Sequence, residues 1–381
     1  MTTTVPAGEA ALQVYAQAVA QANGGRDWTP FAEAYFPIKT RDAGLAPFRA
    51  NAMQHQACDD ERSGRLRVIR LKPRRIGSTS EAILSALVRM FARPYYNVAV
   101  GSTTIDKAKA IIIDQMVRPT LQPLNPFLAT GYRVEIVERE VRVWHHRESP
   151  HAPVSRMNVS GVNEEDFGIG YDIAECVLTE AAFIAERGWK TLDQLVPAIP
   201  DWGILKIESA ANGAGNEFHR RFYSGTYHRQ FYPWWVSELA ALRADSPALA
   251  GPDFTHLRQS KFKLTSEQDA WRAAHGLAWD QLRFYQWAAL TDGDLVHAHY
   301  PATAEEAFIS GAVAQLPAQQ LASMYNHPAP LLTPTEHQRP LWIGLGWNSA
   351  VCNDGRLKEP SGLRFWRLPE AGHRYSLGID S

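Results

Sequence analysis

The chain has 381 residues, 45% of them hydrophobic and 21% charged, with 24 Pro and 12 Trp, a balance that suits a globular protein with a sizeable core and excludes a disordered tail or a fibre. Its 39 Lys and Arg against 40 Asp and Glu leave a formal net charge of -1, which excludes a surface coated in cations for non-specific nucleic-acid binding, so any such contact must be local. Cys58, Cys176 and Cys352 are too few and too far apart for a disulfide framework or a zinc ribbon, and no apolar run reaches the length of a bilayer span or follows a charged start.

In chain order, residues 8–23 carry Ala11, Leu12, Tyr15, Ala18 and Val19 at helical spacing, so a helix is expected there, ended by Gly24-Gly25. A basic stretch follows at Arg62, Arg65, Arg67, Arg70, Lys72, Arg74 and Arg75, either a solvated strand edge or a contact for anions. Within it Leu66, Val68, Ile69 and Leu71 predict a strand that enters a loop at 72–77. A helix should start at Ser78-Thr79-Ser80-Glu81 and bury Ile83, Leu84, Leu87, Val88 and Phe91 before Pro94.

Further strands are expected at 97–101, 134–137, 141–144, 174–178 and 203–209, the second and third of these paired, and a helix at Ala108 to Met116. Alternation of strand and helix implies a parallel α/β sheet. Ligands gather beyond the carboxyl ends of such strands, so Lys72 to Thr79, Thr179-Glu180 and Ser209 to Asn212 should converge on one crevice. After Phe231 the chain turns aromatic and mixed and reads as a lid. Prolines at 328–334 and 340 suggest a linker, and 375–380 a strand that opens something new.

A triphosphate site needs backbone N–H groups at a helix N-terminus, a cation for the outer phosphates and a hydroxyl for Mg²⁺. Set against G-x-x-x-x-G-K-[ST], Lys72 stands at the first Gly, Gly77 at the second, Ser78 where Lys is usual and Thr79 at the hydroxyl. Charge is thus moved upstream to Lys72, Arg74 and Arg75, unless the segment is a plain basic turn. Glu180, after the apolar run Val177-Leu178, can polarise an attacking water or simply start a helix. Thr179 before it adds no charge, so the metal is expected to lean on Thr79, phosphates and water. Ser209, Ala210, Ala211 and Asn212 read as a γ-phosphate sensor or as a turn. The order of loop, carboxylate and sensor, each at a strand end, is more specific than any one part. His145-His146 and His297/His299 lack ligand partners at metal spacing and read as ordinary histidines, and Trp234-Trp235 as packing rather than a base platform.

These residues resemble a family. Phe48 to Gln54 followed by Val68 to Thr79 is similar to the adenine-reading Gln motif and divergent phosphate loop of tailed-bacteriophage terminase large subunits. Leu178 to Phe183 resembles their Walker B segment, Ser209 to Phe218 their coupling motif, and Tyr300 to Phe308 with Ser310-Gly311 a signature late in their ATPase region. The resemblance runs from about Phe48 to the end. It implies an α/β P-loop NTPase of ASCE/RecA-like type, a parallel sheet flanked by helices with a smaller lid or linker subdomain. The expected division is an N-terminal helical flank at 1–45, an ATPase core at 46–230, a lid and linker at 231–370, and at 371–381 the first strand of an RNase H-like nuclease.

By the same resemblance the activity is ATP hydrolysis that drives double-stranded DNA into a procapsid, with ATP and Mg²⁺ as cofactors. Gln54 falls at the adenine; Lys72, Arg74, Arg75, Ile76, Gly77 and Ser78 at the phosphates; Thr79 at Mg²⁺; Glu180 as catalytic base; and Ser209, Ala210, Ala211 and Asn212 as coupling segment. Arg75 stands where many members have Gln, and Ser78 leaves the usual Lys position without a cation. Arg156 is assigned as the arginine that a neighbouring subunit inserts, with Arg133, Arg139 and Arg142 as other candidates. Asp380 would bind a nuclease metal, but one carboxylate cannot build a two-metal site, so DNA cleavage is expected only of a longer protein. Expected partners are the DNA phosphate backbone, the portal protein, the small terminase subunit and copies of the chain in a ring on the portal, with monomers in solution and no membrane. The place is the host cytoplasm, transiently at the procapsid. A helicase-like translocase and a non-catalytic nucleotide- or DNA-binding scaffold are the alternatives.

Overall fold

The computed structural model describes residues 22–309 apart from 41–43, 147–148, 150, 164–166 and 169–171. The expected linker, the strand ending in Asp380, Ser310-Gly311 and nearly all of the N-terminal helix lie outside the described residues. Helix α1 (Thr29–Tyr35) leads into a hairpin of β1 (Pro37–Thr40) and β2 (Gly44–Pro47), then α2 (Ala52–Arg62), which Asn51 starts with a reciprocal capping box to Gln54. Strand β3 (Arg67–Leu71) then runs through the loop at 72–77 into α3 (Ser78–Ala92), whose side chains are nearly all buried. Its length and stripe are those expected from Ile83, Leu84, Leu87, Val88 and Phe91.

Next come β4 (Val98–Ser102), a helical stretch at 105–121 with a π-helical middle (Lys109–Val117), and β5 (Arg133–Val137) with β6 (Glu140–Trp144). After β7 (Val154–Gly161) and β8 (Glu175–Thr179), α4 (Glu186–Leu195) crosses to β9 (Ile204–Ser209), and α5 (Glu217–Tyr223) to β10 (His228–Phe231). Later helices include α6 (Ser266–His275) and α7 (Trp279–Asp292).

Strands β3 to β10 form one eight-stranded sheet in the order β10-β3-β9-β8-β4-β7-β6-β5. From β10 to β7 all neighbours are parallel; the β5–β6 hairpin, expected as a pair, joins antiparallel. The sheet is therefore mixed, with a parallel part of six strands and an antiparallel edge of two. Strand β9 lies between the loop strand β3 and the acid strand β8. The register pairs Leu71 with Ser209 and Glu208 with Thr179, so the three strands end at one level, where the crevice is expected.

Strands β8 and β9 are buried along their whole length, as befits strands covered on both faces. One apolar cluster joins α1, α3 and the 105–121 stretch; a second holds β9, α4 and α5. Beyond Phe231 a third forms around Trp234, Leu249, Leu257, Leu282 and Tyr285. Trp234 is fully buried and stacks on Tyr285 at 4.9 Å, the packing role read from sequence.

Between α2, α3 and the sheet lies a buried layer of charge. Arg89 pairs with Glu61 at 2.7 Å and Glu175 at 2.6 Å; Lys206 pairs with Glu61 and Glu81, both at 2.5 Å; Arg70 pairs with Glu81 at 2.7 Å. These three cations and three anions answer one another, the condition under which buried charge is tolerated.

Candidate functional site

The loop is held from outside by α2. Asn51 Nδ2 donates to the carbonyl of Ile76, and Gln54 Nε2 to that of Gly77, each at 3.0 Å. Gly77 adopts φ +82°, and a Cβ there would sit 3.0 Å from Gln54 Nε2, so glycine serves both the turn and the close approach. Ile76 is buried against Met53 and Tyr232. No side chain caps α3 at Gly77, which leaves the N–H groups of its first turn open to an anion at the positive end of the helix. Arg74 and Arg75 are exposed, and Arg75 has φ +61°, a conformation that costs a non-glycine residue about 1–3 kcal/mol.

Ser78, where a loop lysine is usual, is buried, and its Oγ accepts from Arg70 Nη1 at 2.8 Å. The cation at the mouth of the loop is Lys72. Its Nζ lies 3.7 Å from Glu180 Oε1 and 3.7 Å from Glu208 Oε2. Glu180 follows the last residue of β8 with φ +56°, and its side chain is 40% exposed. Loop and acid thus face each other across the crevice.

Glu208, one strand over, is only 1% exposed. Its Oε1 accepts from Thr79 Oγ1 at 2.6 Å and from Thr179 Oγ1 at 2.7 Å, while Oε2, also buried, accepts no hydrogen bond. Burial pushes this carboxyl up, but Lys72, Ser78, Thr79 and Thr179 outweigh it and hold it below the usual carboxylate range. Sequence reading missed Glu208 because it was taken as the tail of a strand; its signal is a carboxylate at a strand end beside a neutral Thr179. The hydroxyl of Thr79 with the carboxylate of Glu208 offers hard oxygens of the kind Mg²⁺ takes, and a buried oxygen with no hydrogen bond, 3.7 Å from Lys72 Nζ, fits a cation. Among the described residues no three His, Cys, Asp or Glu cluster as a cage.

The coupling segment touches both sides. Lys72 N donates to Ser209 O at 3.1 Å; Ser209 Oγ accepts from Ala182 N at 3.1 Å; Asn212 Nδ2 donates to Ala182 O at 3.3 Å. Ala210 and Ala211 are buried between these contacts. One short segment therefore bridges the loop and the turn after Glu180.

Gln54 is 3% exposed, its Oε1 accepting from Asn51 N and its Nε2 holding Gly77. It clamps the loop here rather than facing open space. Arg156 pairs with Glu140 at 3.3 Å near the start of β7, the end of the sheet away from Glu180, so within one chain it does not reach the site. Beside the loop a cavity of about 600 Å³ is lined by Arg74, Arg75, Ser237, Phe284, Trp287 and Tyr300, among others. The loop joins this wall directly, Arg74 N donating to His299 O at 3.0 Å.

No protein-family model and no curated protein matches the sequence. Among solved structures the chain is similar to the large terminase ATPase domain of Thermus phage P74-26, with 16% identity, a TM-score of 0.44 and coverage of 67% of this chain and 94% of that one. It is also similar to the large terminase of bacteriophage HK97, at 13% identity and TM-score 0.48 over 73% of this chain and 54% of that one. The large terminase of a thermophilic bacteriophage, in complex with ADP, matches at 14% identity and TM-score 0.35, over 45% of this chain and 41% of that one.

Proposed function

We propose that this chain binds ATP with Mg²⁺ at the mouth of the loop and hydrolyses it, as the ATPase of a terminase-type DNA-packaging motor. The observation that carries this reading is Lys72, 3.7 Å from both Glu180 and Glu208 at the uncapped start of α3. The first-turn N–H groups and Lys72 hold the outer phosphates, and Arg74 and Arg75 add charge from the solvent side. A phosphate that takes Lys72 draws it from Glu180. The freed carboxylate is then a base for the water that attacks the γ-phosphorus, accepting its proton as the bond to ADP breaks. Mg²⁺, when bound beside Thr79, neutralises phosphate charge.

The aromatic wall of the cavity takes the nucleoside, with Phe284, Trp287 and Tyr300 as surfaces for the base. Loss of the γ-phosphate alters what Lys72 touches, and its backbone bond to Ser209 passes the change to Ala182 and Asn212. In a ring docked on a portal, with Arg156 or another arginine completing a neighbour's site, this motion would move double-stranded DNA by its backbone phosphates.

The test compares wild type with Glu180→Gln in phosphate release and in binding of a fluorescent ATP analogue. Hydrolysis should fall about 10²- to 10⁴-fold with binding retained. A wild-type protein that neither binds nor hydrolyses the nucleotide overturns the reading and leaves the scaffold alternative.

A further inference from the structure

We infer that Glu208, from β9, supplies the carboxylate that the nucleotide's divalent cation requires, in place of any residue of β8. The inference rests on the ATP reading above and names a residue of that same site. Strand β8 ends in Leu178-Thr179-Glu180, so the position just before the base is a neutral hydroxyl. The register sets Glu208 directly across from Thr179, at the same level of the crevice and one strand nearer the loop strand β3.

Three observations then agree. Thr79 Oγ1 and Thr179 Oγ1 direct their protons to the same oxygen, Oε1 of Glu208, at 2.6 and 2.7 Å. A hydroxyl that donates to a carboxylate keeps its lone pairs for a metal. The other oxygen, Oε2, is buried without a hydrogen bond and meets the Lys72 ammonium only at 3.7 Å, which leaves it able to take a closer cation. Finally, Glu180 and Glu208 share one cation, Lys72. When Lys72 turns to phosphate, two carboxylates are left to be balanced, and a divalent ion held beside Thr79 balances them. A Glu208 that only holds Thr79 and Thr179 needs its acceptor oxygen, and one that only positions Lys72 needs its charge in EDTA and in Mg²⁺ alike; a metal partner needs its charge only when the cation is present.

Glu208→Gln separates these roles, because the amide keeps the acceptor for Thr79 and Thr179 and loses the charge. Binding of N-methylanthraniloyl-ATP is titrated with Mg²⁺ and with EDTA, and Mn²⁺ held in the nucleotide complex is counted by paramagnetic resonance. Wild type should bind more tightly with Mg²⁺. Glu208→Gln should match wild type in EDTA while losing about 10- to 100-fold in metal-dependent affinity, and adding Thr179→Asp to it should restore the gain by returning a carboxylate to β8. Full metal dependence in folded Glu208→Gln overturns the inference and leaves the ATP reading standing; a wild type that binds no nucleotide overturns both. Should Glu208→Gln not fold, Fe²⁺ in place of Mg²⁺ in wild type, with ascorbate and peroxide, decides: backbone cuts near 207–209 support the role, and cuts confined to the loop overturn it.

Discussion

The side-chain amide of Gln54 donates to the carbonyl of Gly77 at 3.0 Å, and its own oxygen accepts from the backbone of Asn51. We propose that a residue used in this way shapes the loop rather than the choice of base. Gln54→Ala should therefore weaken ATP and GTP binding alike, by about 5-fold for the loss of roughly 1 kcal/mol of loop support. Loss of discrimination between the two nucleotides, with ATP affinity alone reduced, would return Gln54 to the adenine.

The cavity beside Arg74 and Arg75 offers Trp287, Phe284 and Tyr300 as an apolar wall. Stacking on such a face is worth about 1–3 kcal/mol per base. Trp287→Ala should lower affinity for the nucleotide about 10-fold or more, yet leave competition by inorganic tripolyphosphate unchanged, since that ligand has no base. Equal loss for both ligands would place the effect in the loop.

Much of the core was legible because its signals are local. Strand β3, the glycine turn and α3 follow from apolar runs and one Gly, and the crevice follows from strand ends in a parallel sheet. Strands β7 and β10 were not read. In β7, Val154–Gly161 alternates buried and half-buried positions with Ser, Arg and Asn among them, and β10 is His228-Arg229-Gln230-Phe231; neither carries an apolar run, and pairing to β4 and β3 makes them strands. Glu208 was hidden for a similar reason, since its role depends on Thr79 and Thr179, which only the fold brings to it. Arg70, part of the basic stretch, Glu81, at the helix start, and Lys206, inside a strand, carried no sign of one another in the sequence; each finds its partner across the layer between helix and sheet.

Arg89 illustrates how that layer bears on stability. Its guanidinium is buried between Glu61 and Glu175, and Arg89→Met would leave Glu175 without its cation and Glu61 with Lys206 alone. Breaking such a pair costs about 3–5 kcal/mol. Urea unfolding should show that loss, while ATP turnover per folded molecule stays near wild type, because Glu175 begins β8 at the end of the strand away from Glu180. A large fall in turnover with unchanged stability would contradict this division.

Glu81 gives the layer a pH dependence with a definite sign. Burial alone would raise its carboxyl, but Lys206 and Arg70 lower it from 4.5 to about 2. A depressed folded value means that the unfolded chain takes up a proton at a pH where the folded chain does not. The contribution to stability is therefore complete above about pH 4.5 and is lost as the pH falls toward 2. Glu208, also held low, acts in the same direction. Melting temperature should accordingly drop steeply between about pH 4.5 and 2.5. Glu81→Gln should be less stable than wild type at neutral pH, for it strands Arg70 and weakens the hold on Lys206, but its melting curve should be flatter in acid. The gap between the two proteins must then narrow as the pH falls; parallel curves would show that Glu81 is not the group being titrated.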